Sequence, residues 1–177
     1  MQRNRRVLVF CTVLLASLLT GCFSFRDYGE LRTAETVDLS QVEGSYYVVG
    51  AMTTPLDRDP SDATFNFFRS RDGTFAIEYA FRPKGLDSEL KTYRGRARVS
   101  ENSADWDIRF VWPFQNDYKV IYAADDYSLL MIGHPSRKNL YILSREKTIE
   151  QVELQWLLDL AASQGYHTSS LERIDHR

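Results

Sequence analysis

From Gln41 onward, hydrophobic and polar positions mostly alternate with a period of two, the signature of strands with one wet face. In "KTYRGRARV", Tyr93, Gly95, Ala97 and Val99 fall on one face and Arg94, Arg96 and Arg98 on the other. "DWDIRFVW" repeats this with Trp106, Ile108, Phe110 and Trp112, and "TFAIEYAF" with Phe75, Ile77, Tyr79 and Phe81. "TFNFF" adds Phe65 and Phe67, and "GSYYVVGAM" opens the series with Tyr46, Val48, Gly50 and Met52 on a shared face. The later runs "DYKVIYAA", "YSLLMIG" and "NLYILS" are almost continuously apolar, as expected of strands covered on both faces.

The cover is predicted to follow directly. In "TIEQVELQWLLDLAASQGY", Ile149, Val152, Trp156 and Leu160 recur at helical spacing. Thr148 and Gln151 read as a capping-box pair, and Gly165 is placed to end the helix. The count is eight strands and one helix. Tight turns (residues 71–73, 102–103 and 125–126) alternate with longer links (54–62, 83–88, 113–117 and 134–138). In an up-and-down barrel, alternate links lie at the same end. The pattern predicts an all-β fold: an eight-stranded antiparallel up-and-down barrel with a C-terminal α-helix packed outside. One end is closed by turns, and the other is a mouth rimmed by loops.

The first residues are different in kind. Arg3, Arg5 and Arg6 precede an apolar run over residues 7–19, too short to span a bilayer comfortably and typical of an export signal. Leu19-Thr20-Gly21-Cys22 resembles the bacterial lipobox, in which the chain is cut before a lipidated cysteine. The expected division is a signal over residues 1–21, a lipidated tether over 22–36, and the barrel with its helix over 37–177. The resemblance implies that Cys22 carries diacylglycerol and palmitate, and that Phe23 directs the chain to the outer membrane, facing the periplasm.

Composition narrows the functions. A mature chain from Cys22 has 156 of the 177 residues, enough for one domain with a real core. The signal carries three arginines and no acid, so its removal takes the net charge from −2 to −5. A mildly acidic chain without a basic run is a poor nucleic-acid binder. The cysteines are Cys11 and Cys22; one leaves with the signal and one is acylated, so no internal disulfide or cysteine metal site remains. His134, His167 and His176 are widely spaced and read as solvated surface residues. Ser136 lies near His134 without a nucleophile-elbow pattern, and Asp125-Asp126 reads as turn chemistry. No cofactor, metal or enzymatic activity is expected.

The chain resembles the lipocalins, and most closely the bacterial outer-membrane lipoprotein lipocalins, over residues 37–174. The family's Gly-x-Trp motif is matched by Gly44-Ser45-Tyr46, with Tyr46 in the Trp position. Its Asp-Tyr pair in the sixth strand is matched by Asp117-Tyr118 in "NDYKVIYAADDYSLLMIG". Its arginine after the last barrel strand is matched by Arg145 in "LYILSREKTI". The resemblance implies that Gly44, Tyr46, Tyr118 and Arg145 close the barrel, the guanidinium lying across the aromatic ring.

The expected ligand wall comprises Val48, Met52, Phe65, Phe67, Phe75, Ile77, Tyr79, Phe81, Tyr93, Ala97, Trp106, Ile108, Phe110 and Trp112. Two interiors are open to such a wall: rings that fill the barrel as core, or a cup in which Gly50, Gly95 and Ala97 leave space for one apolar molecule. At the mouth, Asp57, Arg58, Asp59, Arg82 and Lys84 are placed to meet a polar head near water. The resemblance implies a fatty acid or lysophospholipid as partner, with a carrier role in envelope lipid maintenance. The alternatives are a structural lipoprotein with a filled barrel or, more remotely, a lipocalin-type enzyme. Family members can also pair as homodimers.

Overall fold

The computed structural model describes residues 28–53, 57–70, 74–100, 104–111 and 114–177, with the backbone alone at 110, 111 and 114–116. Residues 1–21, expected as a signal, and Cys22 lie outside the described residues.

Strands β1 (Gly44–Met52), β2 (Pro60–Arg69), β3 (Phe75–Pro83), β4 (Lys91–Val99), β5 (Asp105–Val111), β6 (Phe114–Ala123), β7 (Leu129–Gly133) and β8 (Leu140–Ser144) pair antiparallel in chain order. β1 also pairs with β8, which closes the barrel. Helix α1 (Leu39–Val42) precedes β1, and helix α2 (Gln151–Ser163) follows β8. A short ninth strand, β9 (Glu172–Arg173), was not legible in the residue pattern.

The barrel has two apolar layers. The inner core holds Phe65, Phe67, Phe75, Phe81, Trp106, Leu130, Ile132 and Leu143 among others. The outer core sandwiches Leu129, Met131, Leu140 and Ile142 of β7 and β8 against Leu154, Leu157 and Ala161 of α2. Every residue of β7 and β8 is therefore buried, which explains their unbroken apolar runs. The expected helical face is corrected in part: Ile149 and Leu160 pack half-buried against this layer, but Val152 and Trp156 are 76% and 50% exposed, and Leu154, Leu157 and Ala161 are the fully buried residues. The capping box is corrected too. The N-cap is Glu150, without a side-chain cap bond, so Gln151 opens the helix and is not its third residue. The C-terminus ends at Gly165, with φ +92°. Its N–H donates to the Ala162 carbonyl and that of Tyr166 to the Ala161 carbonyl, a Schellman closure.

A β-bulge changes β1. Val48 faces Leu143 and Gly50 faces Ile142, so Val49 is the extra residue. Beyond it the faces swap. Tyr46, Val48 and Ala51 point inward, while Val49 and Met52 join the layer under α2. Met52 is thus corrected from ligand wall to outer core. Gly50 opens no space inside either: a Cβ there would lie 2.9 Å from Leu171 Cδ2 and 3.7 Å from Ile142 Cδ1, both on the outside.

The closed end is held by one cation. The Arg145 guanidinium lies 3.7 Å from the Tyr46 ring centroid. It donates to the carbonyls of Ser45 (3.0 Å), Gln41 (2.7 Å) and Glu43 (3.0 Å), which tie α1 and β1 to the end of β8. Gly44 is required twice: its φ is +109°, and a Cβ would stand 3.0 Å from Arg145 Nη1. Tyrosine at 46 brings a polar handle to this floor. The fully buried hydroxyl donates to the Tyr127 carbonyl at 2.9 Å. Burial pushes that phenol up to about 12.

The stretch over residues 28–36, expected as tether, lies against the barrel. The Ala34 N–H donates to the Val120 carbonyl at 2.9 Å, and Leu31 is buried. Arg137, itself buried, donates to the carbonyls of Gly29 (2.6 Å), Gln164 (3.0 Å) and Pro135, with its guanidinium 5.3 Å from the Tyr28 ring centroid.

At the loop end, the C-terminal tail enters the seam between β1 and β2. β9 pairs with Gly50 and Ala51, the Asp62 N–H donates to the Asp175 carbonyl, and Ile174 joins the inner core. Asp62 fastens the tail. It accepts from the Arg177 N–H at 2.9 Å, and its other oxygen meets Arg177 Nε at 3.0 Å and Arg82 Nε at 3.1 Å. Burial pushes the Asp62 carboxyl up, but the Arg177 and Arg82 contacts outweigh it and hold the group below the usual carboxylate range.

Two predictions follow from these contacts. Arg145→Ala lowers unfolding free energy by about 2 kcal/mol, and Arg145→Lys recovers only part of it, because a lysine lacks the fork that reaches three carbonyls; urea denaturation measures both. For Asp62 the folded pKa is depressed, so its stabilisation is present above the unfolded value and lost as pH falls through the folded one. Amide exchange at residues 172–177 should therefore accelerate below the usual carboxylate range, and Asp62→Asn should show the fast exchange already at neutral pH.

Candidate functional site: the barrel interior

The inward residues of β1 to β5 meet as one aromatic cluster. Phe65 stacks on Tyr79 with centroids 4.5 Å apart and on Phe67 at 5.9 Å. Trp106 meets Phe67 edge-on at 5.4 Å and Phe75 at 6.5 Å. Tyr79 and Tyr93 flank Phe81 at 5.0 and 6.0 Å. At two positions the register places a large side chain opposite a small one. Phe75 faces Ala97 and Ile77 faces Gly95, whereas Tyr79 faces Tyr93.

The structure brings together Val48, Phe65, Phe67, Phe75, Ile77, Tyr79, Phe81, Ala97, Trp106 and Ile108 in this core, none more than 6% exposed. Tyr93 is half-buried at its edge. Trp112 lies outside the described residues, and Phe110 is described in backbone only. Tyr118 departs from the closing motif in which it was expected. It packs at 6.1 Å from Tyr141 and 5.9 Å from His134, away from the Arg145 latch. Its strand neighbour Asp117 is exposed, opposite Asp107.

One residue enters the interior that the pattern placed in water. Asp57, from the β1–β2 loop, is 2% exposed. Its Oδ2 accepts from the hydroxyls of Tyr79 and Tyr141, each at 2.9 Å. Tyr118 packs beside Tyr141, with ring centroids 6.1 Å apart. Burial first, and then the Asp57 charge, push the Tyr79 phenol well above its ordinary range. Burial does the same to Tyr141, reinforced by Tyr118 and Asp57. Burial with Asp57 takes Tyr118 up to about 12. All three therefore stay protonated donors at neutral pH. No local signal marks Asp57: an aspartate in "TTPLDRDPSD" reads as a wet loop residue, and its partners are 22 and 84 residues away.

The histidines are partly corrected. His167 is exposed as expected, but His134 and His176 are half-buried. Burial pulls the His134 imidazole down, against the pull of Asp117. Its Nδ1 accepts the Ser136 N–H at 3.0 Å and sits 2.8 Å from Ser136 Oγ, which makes a turn cap. His176 Nε2 donates to the Val48 carbonyl at 2.9 Å. Asp126 accepts the Ser128 N–H at 2.9 Å, the expected turn chemistry. Among the described residues, no group of three or more His, Cys, Asp or Glu side chains is placed to hold a metal.

A closed eight-stranded antiparallel barrel, latched by an arginine at one end and flanked by one helix, defines a cup-shaped barrel class. The lipocalin-like domain model matches residues 37–176, and the chain belongs to the lipocalin family. Among similar proteins is the outer membrane lipoprotein Blc of Vibrio cholerae, 26% identical over 171 residues, covering 93% of this chain and 94% of that one. Blc of Escherichia coli K12 is 26% identical over 158 residues, 87% and 88% of the two chains. Temperature-induced lipocalin-1 of Arabidopsis thaliana is 23% identical over 152 residues, 81% and 82%. Among solved structures, insecticyanin of the tobacco hornworm Manduca sexta superposes with a TM-score of 0.64 at 13% identity, covering 82% of this chain and 84% of that one. That last likeness concerns the fold.

The Asp57 cluster yields a prediction about stability. Tyr79→Phe and Tyr141→Phe each remove one donor from a buried carboxylate, at a cost of about 1–2 kcal/mol. The double variant should lose more than the sum of the two, because the carboxylate then keeps neither phenol. A double-mutant cycle by denaturant unfolding measures this.

Proposed function

We propose that this protein binds an acyl lipid, a fatty acid or lysophospholipid, in its barrel and carries or stores it at the bacterial outer membrane. The observation that carries the reading is the polarity of the interior. Rings and aliphatic groups line the barrel, and a carboxylate–phenol cluster lies among them on the side of the loops. An amphipathic lipid has the same division, and burying each methylene contributes ~0.8 kcal/mol. Family membership supports a cup for hydrophobic molecules and supports a binding role over an enzymatic one.

The anchor belongs to the same reading. Residues 1–21 are the signal, Cys22 takes the lipid, and the barrel is held against the periplasmic face of the outer membrane, where acyl lipids are at hand for envelope maintenance. The lipobox-like Leu19-Thr20-Gly21-Cys22 supports it. So does the match to the Vibrio lipoprotein, whose 93% coverage must reach into the first 27 residues.

A second reading is favoured by one observation. Phe67, Phe81 and Ala97 have no exposure, and Phe75, Ile77 and Trp106 expose 1–2%, as in a barrel filled by its own side chains. Such a barrel would serve a structural lipoprotein that meets partners on its outer surface.

Native mass spectrometry decides between them. The unlipidated chain from residue 23 contains every contact described above and is incubated with fatty acids and lysophospholipids. The expected result is retention of one acyl lipid per chain with a change in Trp106 fluorescence. Retention of none, with an unresponsive Trp106, sinks the carrier reading in favour of the filled barrel.

A further inference from the structure

Tyr79 on β3 and Tyr141 on β8 aim their hydroxyls at one carboxylate oxygen, 2.9 Å from each. The carboxylate does not belong to the wall. It is brought in by Asp57 from the loop between β1 and β2, a position where an aspartate ordinarily stays in water. Moving a carboxylate out of water is costly unless donors replace its hydration. Here the donors are phenols, and burial keeps both protonated. Tyr118, its ring 6.1 Å from that of Tyr141, brings a third phenol beside the cluster. Aromatic rings surround it: Phe65 lies 4.5 Å from Tyr79 and 5.3 Å from Tyr141, and Phe81 5.0 Å from Tyr79. Oxygens on phenols and carbon against rings is the recognition chemistry of an amphipathic carboxylic acid.

We propose that Tyr79 and Tyr141 form a carboxylate-binding subsite for a fatty acid, and that Asp57 is its intramolecular occupant, replaced when the ligand's carboxylate enters. The inference rests on the lipid-binding reading above and names the head group within it. The exchange conserves the two phenol hydrogen bonds. Two phenol donors pass from one carboxylate to another, and Asp57 regains water. The acyl chain then supplies the net gain, with affinity rising about tenfold for every two methylenes buried. A ligand with a neutral head offers a weaker acceptor and competes poorly with Asp57 for the phenols.

The test compares dodecanoic acid with dodecanol, identical in chain and different in head, on the unlipidated chain from residue 23. Tryptophan fluorescence and native mass spectrometry report binding. Wild type should prefer the acid by about tenfold or more, the difference between a charge-assisted and a neutral hydrogen bond. Asp57→Ala should tighten acid binding about tenfold, if the aspartate occupies the phenols nine-tenths of the time. The same change should move the alcohol far less. Asp57→Asn, isosteric and uncharged, repeats this comparison should the alanine variant not fold. Tyr79→Phe with Tyr141→Phe should bring the acid down to the level of the alcohol, with circular dichroism confirming the barrel. Equal binding of acid and alcohol by wild type overturns the subsite while the lipid-binding reading stands. Equal tightening of both ligands by Asp57→Ala reduces Asp57 to a plug and overturns the exchange. Failure of both ligands to bind wild type and the Asp57 variants overturns the lipid-binding reading, and the subsite with it.

Discussion

Strand β1 has to satisfy three neighbours, and the rest of the molecule follows from how it does so. One edge pairs with β8. The other pairs with β2 over Gly44 to Tyr47 and with the chain terminus at Gly50 and Ala51. A barrel is stable in water because closure leaves no row of unpaired backbone groups. Here closure is completed at both ends by residues far from β1 in sequence: Arg145 at the floor and residues 172–177 at the loop end. The bulge at Val49 lets the strand change its inner face between the two. Its first half presents Tyr46 and Val48 to the barrel, and its second half gives Val49 and Met52 to the layer under α2.

The interior shows how a small barrel reconciles packing with a binding role. Phe75 and Ile77 of β3 stand opposite Ala97 and Gly95 of β4, and Phe67, Phe75 and Trp106 pack together as a core. Polar chemistry is concentrated in Asp57 and three tyrosines, away from the arginine latch. Burial strengthens hydrogen bonds there and makes an unmade one costly. The carboxylate-binding subsite proposed above is that cluster, and the rings around it offer apolar surface.

Much of this was legible in the residue pattern, and each failure has a local cause. Alternation in "KTYRGRARV" and "TFAIEYAF" gave the right faces because those strands run regularly between two neighbours. The same rule misplaced Met52, because one inserted residue inverts every side chain beyond it. The helix was found but rotated. Val152 and Trp156 recur at helical spacing as the buried residues do, but packing on β7 and β8 buries Leu154, Leu157 and Ala161. Tyr118 was grouped with the floor by motif, yet the slope of β6 carries it to Tyr141 and His134.

The sequence by itself determined the eight barrel strands, the helix after them, their order, the two apolar layers and the basic, apolar and cysteine-bearing N-terminal segment. These depend on local periodicity and on residue types adjacent in the chain. The tertiary structure alone decided that Asp57 goes inside, that Arg137 and the segment over residues 28–36 join the body, and that the C-terminus completes the wall. Each is a pairing over tens to more than a hundred residues, such as Asp57 with Tyr141 or Arg137 with Gly29. Such partners are chosen by which groups the closed barrel brings within hydrogen-bond distance, and no neighbourhood in the sequence records that distance.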